Sequence, residues 1–183
     1  MTALLPPTPA QTIGPFYGYA LPFEGDNELV PPRSPGSIRL HGLVTDGHGQ
    51  PIPDVLLELW QADADGTVVQ RAGSLRRDGW TFTGWGRCAT DDAGEYSFST
   101  VQPGPIDGAA PYFLITVFGR GLLHRLFTRA YPPGPLAEAD PFLAGVPEDR
   151  RATLIAAADA DGFRFDLRLQ GADETVFLHY PGQ

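Results

Sequence analysis

The sequence predicts an all-β fold, a β-sandwich with an irregular proline-rich N-terminal arm and one short helix. Three observations point there. Short apolar stretches alternate with polar residues, Gly/Pro/Asp turns separate them, and 22 glycines and 19 prolines are spread along the chain. At 183 residues the chain suits one domain with a sizeable core.

Residues 1–36 carry eight prolines (Pro6, Pro7, Pro9, Pro15, Pro22, Pro31, Pro32 and Pro35). Such a segment lacks the backbone donors for a helix or a central strand. Its Ile13, Phe16, Tyr17, Tyr19, Leu21 and Phe23 are poorly placed in water. A structureless stretch of this length in a compact chain lies on something. It reads as an arm draped over its own domain and a partner chain, with the domain spanning 37–183.

Period two begins at Ser37, where Ile38, Leu40 and Val44 alternate with Arg39, His41 and Leu43. Asp46-Gly47-His48-Gly49 is a turn. Residues 55–60 (VLLELW) read as a strand buried on both faces, and residues 94–99 alternate again after the turn Asp91-Asp92-Ala93. Residues 112–118 (YFLITVF) form a nearly continuous apolar run, hence a central strand. Phe163, Phe165, Leu167 and Leu169 alternate cleanly with polar neighbours, and residues 175–180 close the chain. The helix is placed at 147–157, where Pro147-Glu148-Asp149 supplies an acidic first turn.

A net charge of −9 with no lysine, all 13 basic residues being arginine, argues against nucleic acid. Cys88 is the only cysteine, so an internal disulfide is excluded. No secretory signal is read at the start, no apolar run approaches the ~20 residues of a membrane helix, and the cytoplasm is the expected compartment.

Several phrases together resemble the intradiol ring-cleavage dioxygenases. They are QTIGPFYG (11–18), HGLVTDGHGQPIPDVLLELWQADADG (41–66), GRCATDDAGEYSFSTVQPGP (86–105), APYFLITVFGRGLLHRLFTRAY (110–131) and FRFDLRLQGADETVFLHY (163–180). The QGxxETVF phrase of the last is similar to that of the alpha chains in the protocatechuate-cleaving branch. The LELWQADADG and FGRGLLHRL segments carry most of the specificity, because G-x-V-x-D-x-x-G-x-P before a strand also occurs in transthyretin-like modules.

The resemblance implies a β-sandwich that, in catalytic members, holds one ferric ion between two tyrosinates, two imidazoles and a hydroxide. A hard trivalent cation favours such anionic oxygen donors. At the matching positions this chain has no tyrosine in residues 61–95, Ile106 after Pro103-Gly104-Pro105, and Tyr112 and Leu114 in place of an H-x-H pair. The resemblance therefore implies an alpha chain without metal, paired with a homologous beta chain that binds the Fe(III). The complex would cleave protocatechuate with O2 to 3-carboxy-cis,cis-muconate, in the β-ketoadipate route of aromatic catabolism. Ile106, Tyr112 and Leu114 are then vestigial metal positions. Thr12, Gly14 and Pro15 of the arm, with Arg120 between two glycines, are the residues expected to wall the partner's substrate pocket.

Other residues read as structural. His48 lies in a turn, His41 faces solvent or a partner, and His124 and His179 are at most interface residues. Trp80, Phe82 and Trp85 fill a core edge or an interface, and Asp91, Asp92 and Glu95 are turn residues. Two alternatives stay open from the residues alone. One is a transthyretin-like binding or scaffold module. The other is a dioxygenase with altered ligands, such as Tyr112 with Tyr96 or Tyr131.

Overall fold

Alternation along residues 37–45 becomes the long strand around which the molecule is organised. The computed structural model describes residue 14 and residues 17–180. A helical turn α1 (Tyr17–Ala20) precedes β1 (Ser37–Thr45), β2 (Leu56–Trp60), β3 (Trp85–Ala89), β4 (Glu95–Val101), β5 (Phe113–Phe118) and β6 (Leu126–Ala130). Three more single turns follow, α2 (Pro135–Glu138), α3 (Pro141–Ala144) and α4 (Glu148–Arg151). The short strands β7 (Ala157–Ala158), β8 (Gly162–Arg164) and β9 (Leu167–Arg168) come last.

Two sheets make the sandwich. One runs β4-β1-β8-β7 with β9 also paired to β1, and the other runs β3-β2-β5-β6. Side chains alternate across each strand, so Leu40, Val44, Phe98, Phe163 and Leu167 of the first sheet meet Leu57, Leu59, Phe113, Ile115 and Val117 of the second in one core. The all-β sandwich expected from the turn spacing is thus the observed architecture, and 113–118 is a central strand, flanked by β2 and β6.

The differences have local causes. The helix expected over 147–157 is α only at Glu148–Arg151 and tightens to a 3-10 turn at Ala152–Leu154. Beyond it the Ala156 N–H donates to the Tyr131 carbonyl at 2.9 Å, so pairing with the sheet wins over helix propagation. The single turn α3 is capped by buried Asp140, whose carboxylate accepts from Phe142 and Leu143 N–H, with proline at the first helical positions. The strand 55–60 is buried on both faces only at its start, since Trp60 is 48% exposed. Strands β3 and β6 carry no clear alternation and are not legible from the sequence. Residues 175–180 form no ladder, but the Leu178 N–H donates to the Phe127 carbonyl at 2.7 Å and holds the segment beside β6.

Candidate functional site

The first region of interest is the outer face of the second sheet. With Phe113, Ile115 and Val117 turned into the core, Tyr112, Leu114 and Thr116 face outward. The register sets Trp85 beside Trp60, Trp60 beside Leu114 and Leu114 beside Arg129. Ile106 arrives from the loop after β4. That loop interlocks with the 63–67 turn: the Gly104 N–H donates to the Asp63 carbonyl at 2.8 Å, and a Cβ on Gly66 (φ 83°) would lie 2.0 Å from the Pro105 oxygen. Only glycine allows that approach. The result is a cavity of about 390 Å³ lined by Ile106, Tyr112, Leu114, Trp60, Phe127 and the Val68–Gln70 stretch. The structure therefore brings Ile106, Tyr112 and Leu114, three residues singled out from the sequence, into one pocket.

This pocket does not suit a ferric ion. Ile106 and Leu114 have no donor atom, and among the described residues no charged side chain lines the cavity. The single phenol among the described lining residues, Tyr112, lies under the Arg129 guanidinium, which is 4.2 Å from its ring centre. Arg129 also stacks on Phe142 at 4.8 Å and donates to the Tyr131 hydroxyl at 3.2 Å. A fixed cation there repels a metal cation. The altered-ligand sets fare no better. The Tyr131 phenol is pushed up by burial, against the pull of Arg129. Tyr96 is fully buried, its pKa raised well above the ordinary phenol value, and its hydroxyl donates to the Phe165 carbonyl at 2.6 Å. No group of three His, Cys, Asp or Glu with metal-site geometry exists among the described residues.

The second region is the corner where β5 ends. Arg120 follows Phe118-Gly119 and precedes Gly121 (φ 87°). Its side chain is 66% exposed and its Nη2 donates to Asp54 Oδ2. Tyr17 lies close enough to the same pair to feel both charges. Burial and the Asp54 carboxylate raise the Tyr17 phenol pKa, while the Arg120 backbone amide and guanidinium pull it down. The amide makes no well-formed hydrogen bond, and the buried Tyr17 hydroxyl stays unpartnered among the described residues. Exposed Gly14 joins this corner through its carbonyl, which accepts the Tyr17 N–H at 3.4 Å. Thr12 and Pro15 lie outside the described residues.

The other residues singled out from the sequence have structural surroundings. His41 Nε2 is 2.6 Å from Asp159 Oδ2, and the His48 N–H donates to Asp46 Oδ1 at 2.8 Å. His124 and His179 lie towards the surface. Trp85 is buried, Phe82 packs against the core, and Trp80 is 93% exposed. Asp91 accepts from the Ala93 and Glu95 N–H groups, as a turn residue does. Sequence reasoning missed Asp54 and Arg129. Asp54 follows a Pro-Ile-Pro run that reads as a plain turn, and Arg129 falls on an unrecognised strand.

The dioxygenase family model matches residues 14–119. Among curated proteins, the chain is 41% identical to the protocatechuate 3,4-dioxygenase alpha chain of Pseudomonas putida, covering 97% of this chain and 98% of that one. It is 38% identical to the alpha chain of the same name from Burkholderia cepacia, covering 93% and 96%. The protocatechuate 3,4-dioxygenase beta chain of Burkholderia cepacia is 35% identical over 73% of this chain and 64% of its own length. Among solved structures, the dioxygenase domain of a dioxygenase carbohydrate-binding protein fusion from Streptomyces sp. SirexAA-E matches with a TM-score of 0.57 and 26% identity. That match covers 91% of this chain and 100% of that one.

Proposed function

The chain belongs to the dioxygenase family that includes the protocatechuate 3,4-dioxygenase alpha chains, and from this premise we propose that it is the iron-free subunit of an enzyme cleaving protocatechuate. The reaction is O2-dependent intradiol opening of the ring to 3-carboxy-cis,cis-muconate. One observation carries the reading: near full-length similarity to alpha chains, combined with a pocket that gathers Ile106, Tyr112 and Leu114, where the resemblance leads one to expect metal ligands.

In this reading the Fe(III) sits in a homologous beta-type partner and supplies activation of the catecholate towards O2. This chain contributes a wall. Arg120 presents a planar, permanently charged fork to the carboxylate of the substrate, remote from the reacting carbons. Gly14 and Pro15 offer a stiff backbone edge, and Thr12 a hydroxyl. The arm, residues 1–36, reaches across to the partner. No helix among the described residues is long and apolar enough to cross a membrane. A lone Cys88, buried and unpaired, suits the reducing cytoplasm.

The test is reconstitution. Co-expressed with an iron-bearing homologue from the same genome, the chain is expected to co-purify as a red-brown complex that cleaves protocatechuate, and to be colourless and inactive alone. Stoichiometric Fe(III) uptake and ring cleavage by the isolated chain would overturn the reading. Within the complex, Arg120→Ala is expected to raise KM for protocatechuate about tenfold or more, the size of a charge-assisted contact. KM for catechol, which lacks the carboxylate, should move far less.

A further inference from the structure

The ladder between β2 and β5 pairs Leu56 with Phe118. Continued two residues past its end, that register sets Asp54 opposite Arg120, and there the two side chains meet. The backbone after Asp54 is fixed by burial. Val55 is fully buried, its N–H donates to Thr90 Oγ1 at 2.9 Å, and its carbonyl accepts the Thr90 N–H at 2.8 Å. Before it, Pro53 has a locked φ.

Asp54 has φ 60°, in the left-handed region that disfavours a residue bearing a Cβ. Aspartate is tolerated there because its carboxylate can bond its own backbone. Asp54 makes no such bond among the described residues; its carboxylate goes to Arg120 instead. Glycine would hold the turn with less strain, so a carboxylate at this position has its reason in Arg120. Arg120 in turn sits on a glycine-flanked tip, where the Leu122 N–H donates to the Gly119 carbonyl at 3.2 Å. Among the described residues its side chain has no hydrogen-bond partner except Asp54.

We propose that Asp54 is a positioning residue for Arg120. It clamps one edge of the guanidinium and leaves the remaining N–H donors turned towards the substrate carboxylate, with the buried Tyr17 beside the same pair. Five donors let one guanidinium serve both anions. Without the clamp the long side chain samples many rotamers, and binding the substrate must order it again. The inference rests on the reading that Arg120 recognises the carboxylate.

The experiment uses the complex with its iron-bearing partner and steady-state kinetics on protocatechuate and catechol. Asp54→Gly removes the carboxylate while suiting the positive φ, so the turn survives. It is expected to raise KM for protocatechuate about threefold to fivefold, the range of an exposed ion pair. The kcat, and KM for catechol, should stay unchanged. Asp54→Asn, which keeps an acceptor for Arg120, should recover part of the loss. In an Arg120→Ala background the Asp54→Gly effect should vanish, because the two residues act as one unit. Equal shifts for both substrates, no shift, or full additivity of the two substitutions would each overturn the assignment of Asp54. If Arg120→Ala alone fails to separate the two substrates, the reading of Arg120 falls first and the role of Asp54 with it.

Discussion

At the scale of the residue, the charges of this chain are set by close partners rather than by bulk composition. His41 and Asp159 show it on the outer face of the first sheet. The Asp159 carboxyl lies below its ordinary range, chiefly through the His41 hydrogen bond, then through the Asp161 and Gly162 N–H groups. A depressed carboxyl pKa means that the unfolded chain takes up the proton more readily. Its stabilising contribution is therefore present above the ordinary value of about 3.9 and is lost as pH falls through the folded value. Replacing His41 with Ala is expected to move the Asp159 midpoint up, as read by carboxyl carbon NMR. An unmoved midpoint would mean that His41 does not govern this charge. Cys88 shows the opposite pressure: burial pushes its thiol up to about 11. Little thiolate then forms at a mildly alkaline pH, and labelling by a disulfide reagent should be slow in the folded protein and fast in urea.

At the scale of the element, the break between β8 and β9 is the informative departure. Alternation from Phe163 to Leu169 reads as one strand, yet the ladder along β1 is interrupted at Phe165 and Asp166. Asp166 Oδ1 takes the Leu43 N–H at 2.9 Å, and the Phe165 carbonyl takes the Tyr96 hydroxyl. The Phe165 carbonyl also crowds Gly42, where a Cβ would lie 2.0 Å from it. A side-chain hydroxyl has thus replaced a backbone partner in the buried layer. Tyr96→Phe leaves that carbonyl unsatisfied and is expected to cost about 1–3 kcal/mol. The measurement is urea unfolding, with a lower midpoint and an unchanged m-value. A loss below about 0.5 kcal/mol would show that the break is held by something other than Tyr96.

At the scale of the whole molecule, the sandwich separates two regions that a linear reading keeps apart. One holds the pocket of Ile106, Tyr112 and Leu114, beside which Arg129 stacks on the Tyr112 ring. The other is the corner of Gly14, Tyr17, Asp54 and Arg120. If the chain works only beside a partner, association should stabilise it by mass action. A partner at about 100 times its dissociation constant adds about 2.7 kcal/mol. Thermal unfolding followed with increasing amounts of the iron-bearing homologue should give a rising midpoint, and a midpoint independent of that homologue would count against the pairing.

Much of this was legible in the chain. Period-two patterning between Gly/Pro/Asp turns specified an all-β sandwich, because side-chain direction in a strand depends only on parity. The family was legible from phrases spread over the whole length, and the unusual residues at 106, 112 and 114 from their place in those phrases. What the tertiary structure decided is which distant groups meet. Asp54 and Arg120 are neighbours only through the register of β2 with β5, and Arg129 covers Tyr112 only because β6 lies beside β5. Tyr96 breaks a strand that its own segment cannot see. Local sequence sets the periodicity of each strand, but the register between strands is a long-range property, and the contacts at both regions lie across strands.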